Sequence, residues 1–133
     1  MTISLFPAEW LEGQYQPRVH AYYFKEWNRF EMDYHRHPST EIMYVISGTC
    51  RVELAETTSD KPVSIFMKKG EFVVLNADAP HRLIVADKCR MLNIEFHRVD
   101  WAGPVPSFKR LSVEEKALRG LLAEQEPYAV LRD

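Results

Sequence analysis

The segment HRHPSTE, residues 35–41, contains three side chains of the types that most often bind metal ions in proteins. His35 and His37 are two residues apart, so in an extended segment both imidazoles leave the same face. Glu41 follows a Pro-Ser-Thr break that can turn the chain and open the next strand. His81 follows a second turn further along and precedes another strand-like run. We predict that these four residues form one metal site.

Two interpretations of these histidines compete. A histidine at the entrance of a strand is often only a hydrogen-bonded polar residue, and one His-x-His pair alone would favour that interpretation. A carboxylate and a third imidazole at compatible positions put the metal hypothesis on an equal footing with it. Imidazole and carboxylate ligands suit zinc, iron, manganese or nickel better than a thiolate-preferring metal.

Length and composition predict a single domain with one pocket. The chain has 133 residues, of which 46% are hydrophobic and 27% are charged, which is typical of globular proteins. The first ten residues lack the basic and long apolar segments of a signal peptide or membrane anchor, so we expect a cytoplasmic protein without membrane contact. Cys50 and Cys89 are not spaced as a short metal-binding pair and are expected to be reduced thiols.

The charge of the chain argues against a nucleic-acid surface. The formal net charge is −2 and the isoelectric point is near 6.2. Binding to a phosphate backbone needs clustered Lys and Arg, which this sequence does not supply. We therefore predict no nucleic-acid binding by this chain alone.

The central part of the sequence predicts a mainly-β fold, a sandwich or a barrel, because short strand-like runs alternate with turn residues. Gly48, Gly70 and the pair Asp87-Lys88 are expected to connect neighbouring antiparallel strands. Residues 49–54 alternate most clearly, with the even positions apolar. The eight predicted strands are Val19–Phe24, Phe30–Tyr34, Ile42–Ile46, Thr49–Leu54, Val63–Met67, Phe72–Leu75, Arg82–Val85 and Met91–Phe96.

The C-terminal part predicts a short helix and a strand-like tail. Ser112 and Glu115 have the spacing of a capping box, and apolar residues follow at helical spacing. Gly120 weakens this helix, and Pro127 should end it. Residues 128–133 then form the tail.

The spacing of these histidines, carboxylate and glycines resembles that of a cupin, which is a double-stranded β-helix or jelly-roll barrel. The first cupin motif is His-x-His, three residues, Glu, six residues, Gly, and His35, His37, Glu41 and Gly48 fill all of its positions. Arg29 stands where a glycine usually precedes this motif. In the second motif Gly70 and His81 keep their spacing, whereas Asn76, Asp78 and Val85 replace the usual Pro, Gly and Asn.

More closely, residues 69–81 resemble the sensing domain of AraC-type transcription regulators, in which a turn delivers a proline-histidine pair to the pocket. The resemblance implies an N-terminal arm over 1–17, a cupin barrel over 18–100, and a C-terminal helix and tail over 101–133. Such regulators contact DNA through helix-turn-helix units after the cupin, and no such region follows here. We therefore expect this chain to be a sensing domain separated from a longer regulator.

A sensing domain implies a small-molecule effector, and the family favours a sugar or a similar polar molecule. The alternation of side chains along a strand predicts that Met43 faces the pocket. One of the two possible orientations of the last strand brings Asn93 and Glu95 to it, and the opposite orientation stays open. Aromatic residues that could stack on a sugar ring are Trp10, Tyr15, Tyr22 and Phe24. Family members commonly dimerise, so a homodimer through the C-terminal helix is a further expectation.

Two other functions remain open at this point. A small metal-dependent cupin enzyme, dioxygenase-like or isomerase-like, is the alternative because the full set of ligands is present. Against it, the sequence has no obvious separate general base and gives no indication of a substrate. A third possibility is a structural or regulatory metal that stabilises one state of a sensor.

Overall fold

The computed structural model describes residues 4–55, 61–76 and 78–132, and within them strands predominate. Residues 1–3 of the predicted arm, Ala77 of the turn before His81, and Asp133 of the predicted tail lie outside the described residues. In chain order the elements are α1 (Glu9–Glu12), β1 (Tyr15–Glu31), β2 (Thr40–Leu54), β3 (Val63–Lys68), β4 (Glu71–Leu75), β5 (His81–Asp100), α2 (Phe108–Glu114), α3 (Lys116–Leu122) and β6 (Tyr128–Arg132).

The described strands form one antiparallel sheet with the order β1-β5-β2-β4-β6, and β3 pairs with β2. The long strands β1, β2 and β5 contain register shifts, at which an extra residue bends a strand and increases its twist. Bending of this kind lets strands as long as β2 and β5 wrap around a core instead of extending flat. The mainly-β fold predicted from the sequence is confirmed.

The sheet separates two apolar clusters. The inner cluster consists of Met43, Val45, Cys50, Val52, Leu54, Met67, Val73, Leu75, Ala79, Leu83, Val85, Cys89 and Met91. The outer cluster consists of Leu5, Phe6, Trp10, Val74, Phe96, Phe108 and Leu122. The inner cluster supports the site described below, and the outer cluster fastens both ends of the chain to the sheet.

The alternation predicted for residues 49–54 is confirmed. Cys50, Val52 and Leu54 are buried in the inner cluster, whereas Thr49 and Arg51 are exposed. Period-two alternation in a half-buried strand therefore assigned the inner face of this segment correctly.

The number of strands was predicted wrongly. Two pairs of predicted strands are continuous, because Gly48 lies inside β2 and the pair Asp87-Lys88 lies inside β5. The register shifts next to Gly48 explain the error, since a bulge accommodates a turn-forming residue without ending a strand. Gly70, in contrast, forms the predicted tight connection, here between β3 and β4. The predicted strand Phe30–Tyr34 is also not separate, because β1 continues to Glu31 and ends there.

The C-terminal helix differs from its prediction in position and length. Helix α2 begins earlier, because the Ser107 side chain caps it by accepting a hydrogen bond from the Arg110 backbone N–H at 3.2 Å. The Ser112 hydroxyl instead donates to the Lys109 carbonyl at 2.7 Å, so the predicted capping box does not form. Glu115 is extended and divides the region into two helices, and Gly120 lies within the second. The predicted strand-like tail is confirmed as β6, which pairs with β4.

The N-terminal segment packs on the outer face of the sheet. The Trp10 ring lies 5.0 Å from the Phe108 ring, and the Phe6 ring lies 6.3 Å from the Phe96 ring, between centroids. Aromatic packing therefore holds the arm and helix α2 together on β5. Residues 15–17 of the predicted arm already belong to β1. Among the described residues, no helix combines the length and apolar character needed to cross a bilayer.

Arg29 adopts a left-handed backbone conformation, with φ of +44°, beside a register shift in β1. This is the position where the cupin pattern usually has glycine. Left-handed backbone costs about 1–2 kcal/mol in a residue with a Cβ. Glycine loses about 0.5–1 kcal/mol more backbone entropy on folding. We expect Arg29→Gly to raise the free energy of unfolding by roughly 0.5–1 kcal/mol in urea denaturation.

The matched control is Asn28→Gly, because Asn28 precedes Arg29 in the same strand and has no positive φ. There the entropy loss is not offset by strain relief, so the substitution should destabilise the protein. Equal effects of the two substitutions would show that the conformation of Arg29 stores no strain.

Candidate metal centre

The three histidines of the two motifs meet at one end of the inner face. His35 lies in the connection between β1 and β2, and its backbone exchanges two 3.0 Å hydrogen bonds with His81, the first residue of β5. His37 follows in the same connection, and Glu41 is the second residue of β2. The connection pairs with β5 through an isolated bridge between His35 and His81.

The imidazoles are close enough to share one ion. One nitrogen from each of His35, His37 and His81 lies within 4.8 Å of the others. The ring centroids are 4.5 Å apart for His35 and His81, and 5.2 Å apart for His37 and His81. His81 is almost fully buried, whereas His35 is exposed, so the cluster extends from the interior to the surface.

Each of these histidines has its Nδ1 atom beside a backbone carbonyl two residues away. The distances are 3.3 Å from His35 to the Asp33 oxygen, 3.0 Å from His37 to the Ser39 oxygen and 2.8 Å from His81 to the Ala79 oxygen. A carbonyl only accepts, so these contacts favour a proton on Nδ1. The Nε2 lone pair of each neutral ring then remains available for a metal, as in many protein metal sites.

Glu41 links the histidines to β5. Its Oε2 atom lies 3.0 Å from His37 Nε2 and 3.2 Å from His81 Nε2, and its Oε1 atom accepts from Asn93 Nδ2 at 3.0 Å. Burial raises the pKa of the Glu41 carboxyl, but the hydrogen bonds from His37 and His81 outweigh burial and lower that pKa to about 2. The hydrogen bond to Glu41 also raises the pKa of His37. In the metal-free protein, hydrogen bonds with Glu41 therefore hold His37 and His81 beside the carboxylate that would share an ion with them.

The site borders a small cavity of about 80 Å³. Its lining combines an apolar wall with the polar side chains already described, and no Lys or Arg of the described chain lines it. The lining residues are Tyr23, Trp27, Met32, His35, His37, Glu41, Met43, His81, Leu83, Asn93 and Glu95.

The predicted ligand-pocket residues fall into two groups. Met43, Asn93 and Glu95 line the cavity, as expected from strand parity. Tyr22 and Phe24 do not, because they project from the other face of β1 and are 74% and 70% exposed.

The other two predicted aromatics lie away from the cavity. Trp10 belongs to the outer cluster. Tyr15 packs against that cluster, with the Arg98 guanidinium 4.2 Å above its ring. The geometry therefore brings none of the four aromatics chosen from the sequence to the cavity.

Sequence reasoning missed the two aromatics that do line the cavity, Tyr23 and Trp27. Tyr23 is the cross-strand partner of Asn93 in the pairing of β1 with β5. Directly opposed residues face the same side of a sheet, so an inward Asn93 requires an inward Tyr23. Burial, with Glu41 and Glu95 nearby, raises the pKa of Tyr23 to about 12, so its hydroxyl stays protonated at neutral pH.

The turn before His81 depends on Asn76, which replaces the usual proline of the second motif. Asn76 Nδ2 donates to the Ser4 oxygen at 2.6 Å and to the Leu5 oxygen at 3.3 Å. Its Oδ1 atom accepts from the Asp78 backbone N–H at 2.8 Å. One side chain thus shapes the turn that carries His81 and fastens the N-terminal segment to it.

The antiparallel fold and this histidine cluster define a small β-domain with a candidate metal centre. Its sequence matches the cupin domain family over residues 28–95, and the chain belongs to that family. No curated protein sequence matches it.

Similar solved structures include YhaK from Escherichia coli, with 6% identity and a TM-score of 0.55, covering 99% of this chain and 49% of that one. Protein NMB1881 from Neisseria meningitidis has 20% identity and a TM-score of 0.50, covering 62% of this chain and 84% of that one. An oxalate decarboxylase from Bacillus subtilis has 14% identity and a TM-score of 0.50, covering 83% of this chain and 32% of that one. At these identities the similarity concerns the fold.

Proposed function

We propose that this cupin domain binds one divalent metal ion through His35, His37 and His81, with Glu41 as the fourth ligand. The observation that carries the proposal is the shared orientation of the three imidazoles, whose Nδ1 atoms all lie beside backbone carbonyls. Three Nε2 donors and one carboxylate are a ligand set that zinc, manganese, iron and nickel accept. When bound, such an ion would supply Lewis acidity for polarising a small polar ligand.

Charge also supports a divalent ion. With neutral imidazoles, the carboxylates of Glu41 and Glu95 balance the two positive charges of the ion within one partly enclosed site. Without an ion, the carboxylates of Glu41 and Glu95 face the same cavity, and no Lys or Arg of the described residues lines it. The oxalate decarboxylase described above contains Mn(II) centres, which places manganese among the ions to test.

We expect the chelator-treated protein to bind one ion per chain from at least one of the four candidate metals. Binding to the folded state alone should stabilise it by about 2.7 kcal/mol at 100 times the dissociation constant, which raises the melting temperature. Affinity should fall as the pH decreases, because protons compete for Nε2 and the pKa of His37 is raised. Equilibrium dialysis with elemental analysis measures the stoichiometry at each pH. If none of the four ions bound to the protein or raised its melting temperature, the proposal would be contradicted.

The metal has two candidate roles, sensing by a regulator domain and catalysis by an enzyme. A series of contacts from His81 to the N-terminal segment favours sensing. His81 Nδ1 contacts the Ala79 carbonyl, the Ala79 N–H donates to the Asn76 carbonyl, and the Asn76 side chain holds the N-terminal segment. Occupancy at His81 could therefore alter how firmly that segment is bound. Metal-dependent protection of its amides from hydrogen exchange would favour a sensor of the AraC type. Metal-dependent turnover without such protection would favour the enzyme.

The cavity limits the effector in either role. Its volume of about 80 Å³ is roughly half of the 150 Å³ that accommodates benzene in an engineered protein cavity. A whole sugar ring is larger than benzene and does not fit inside. A carbohydrate effector would insert one polar group while its ring stayed at the mouth, near the exposed residues His35 and Tyr23.

A further inference from the structure

The outer face of the sheet is apolar over a wider area than the segments that cover it. The N-terminal segment and helices α2 and α3 pack on β4, β6 and part of β5 through the outer cluster. On β1, the outward side chains of Val19, Tyr22 and Phe24 do not belong to that cluster and are 54%, 74% and 70% exposed. Monomeric proteins rarely expose large contiguous apolar surface, so such a patch indicates an interaction site.

These side chains form one continuous surface with the neighbouring strand. Tyr22 opposes Ile94, and Phe24 opposes Leu92, in the pairing of β1 with β5. Directly opposed residues face the same side of a sheet, and both β5 residues are only partly buried. The surface lies on the face opposite the cavity, because the intervening Tyr23 lines the cavity. The β1 patch consists of Val19, Tyr22, Phe24, Leu92 and Ile94.

The β1 patch lies beside a free edge of the sheet. β1 has 17 residues, and β5 is the one strand with which it pairs in the described part of the chain. Alternate backbone N–H and C=O groups on its second edge therefore have no strand partner, which makes this edge a template for pairing with another chain. The register shifts of β1 lie outside residues 21–28, so this stretch has regular geometry for such pairing.

The exposed surface approaches the size of a stable interface. An aromatic side chain buries about 150–250 Å² when it is fully enclosed, so Tyr22 and Phe24 together can still bury roughly 300 Å². A standard interface buries about 800 Å² per partner. The other members of the β1 patch and the strand edge over residues 21–28 extend the area toward that size.

The surface is also complementary to itself. If two β1 strands pair antiparallel about a two-fold axis at Tyr23, Tyr22 of each copy opposes Phe24 of the other copy. Aromatic pairs in this cross-strand arrangement stabilise a sheet. The same arrangement places Lys25 opposite Ala21, so the Lys25 charges of the two copies do not oppose each other. A second copy therefore satisfies both the apolar patch and the free edge.

We propose that the β1 patch binds a second copy of this chain, with the two β1 strands paired antiparallel about a two-fold axis at Tyr23. The two sheets then form one continuous sheet, with Tyr22 and Phe24 of both copies packed at its centre. This interface is separate from the C-terminal helix, through which the family resemblance implies a homodimer. The proposal goes beyond the metal site, since no residue of the patch is a proposed metal ligand.

Sedimentation equilibrium tests the oligomeric state at protein concentrations of roughly 1–100 μM. We expect the unaltered protein to form a dimer in this range. Phe24→Lys should weaken the dimer at least about 100-fold, because two-fold symmetry removes an aromatic contact from both copies. Since Phe24 is largely exposed, the variant should keep its dispersed NMR spectrum and its metal stoichiometry.

Two exposed apolar residues outside the β1 patch provide matched controls. Phe66 lies on β3 and is 66% exposed, and Val113 lies on α2 and is 67% exposed. Phe66→Lys and Val113→Lys add the same charge as Phe24→Lys, and both should leave the dimer unchanged. Hydrogen exchange gives a second measurement: the backbone amides of residues 21–25 should exchange more slowly in the dimer than in the Phe24→Lys variant.

Each other outcome counts against the proposal. A monomer throughout this concentration range would overturn it. A dimer that Val113→Lys dissociates and Phe24→Lys leaves intact would assign the interface to the C-terminal helices. Equal weakening by Phe24→Lys and Phe66→Lys would show a general effect of charge, and association beyond the dimer would contradict a closed two-fold interface.

Discussion

Replacing His81 with alanine should abolish stoichiometric metal binding and lower the free energy of unfolding by roughly 2–4 kcal/mol. Metal binding should fail because His81 contributes the most buried of the three imidazoles. Stability should fall for two reasons: the substitution leaves a cavity beside the inner cluster, and it removes a hydrogen-bond partner of Glu41 Oε2. Urea denaturation of the metal-free protein measures the loss of stability independently of the loss of metal binding.

His97→Ala is the matched control. His97 is partly exposed, packs against the His20 ring at 4.9 Å between centroids, and does not line the cavity. The His97→Ala variant should keep full metal stoichiometry. Its free energy of unfolding should fall by less than about 1 kcal/mol, as for other substitutions away from special structural features. If His81→Ala retained one ion per chain, the site proposed here would be wrong.

Gly48→Ala should be among the most destabilising single substitutions in the chain, at roughly 3–5 kcal/mol. Gly48 has a φ of +80°, and a Cβ there would lie 2.1 Å from the Lys88 backbone oxygen and 3.0 Å from the Cys89 Cα. Both neighbours belong to β5, so relief requires β2 and β5 to separate. Urea denaturation, with unchanged m-value as a check on two-state behaviour, measures the loss.

Gly70→Ala separates the two causes of this loss. Gly70 has a similar φ of +85°, but nothing lies within 4 Å of a Cβ added there. Its substitution should therefore include only the backbone penalty, about 1–2 kcal/mol. Equal losses at Gly48 and Gly70 would mean that the close approach of β5 does not explain the glycine at the end of the first motif.

Which side chains of a strand share one face was predictable from the sequence, because successive side chains alternate between the two faces and this alternation is a local property. Met43, Asn93 and Glu95, which were selected on this basis, line the cavity. The choice between Tyr22 and Tyr23 depended instead on the pairing of β1 with β5, which is a non-local property. A register shift between Val19 and Ala21 also interrupts any parity carried along β1 from its start.

Other differences have similar physical causes. The site histidines were identified by residue type and spacing, whereas the Nδ1 contacts that orient them depend on how residues 33–39 and 79–81 fold. Helix α2 starts at a Ser107 cap that the apolar periodicity did not reveal, since Phe108 packs against the distant Trp10.

Anomalous X-ray diffraction from crystals grown with manganese or zinc tests the central claim most directly, because it locates the ion itself. We expect one strong peak per chain, roughly 2.0–2.2 Å from the Nε2 atoms of His35, His37 and His81 and within bonding distance of a Glu41 oxygen. A peak coordinated by other residues would contradict this account. So would a fully ordered histidine cluster without a peak in crystals that contain saturating metal.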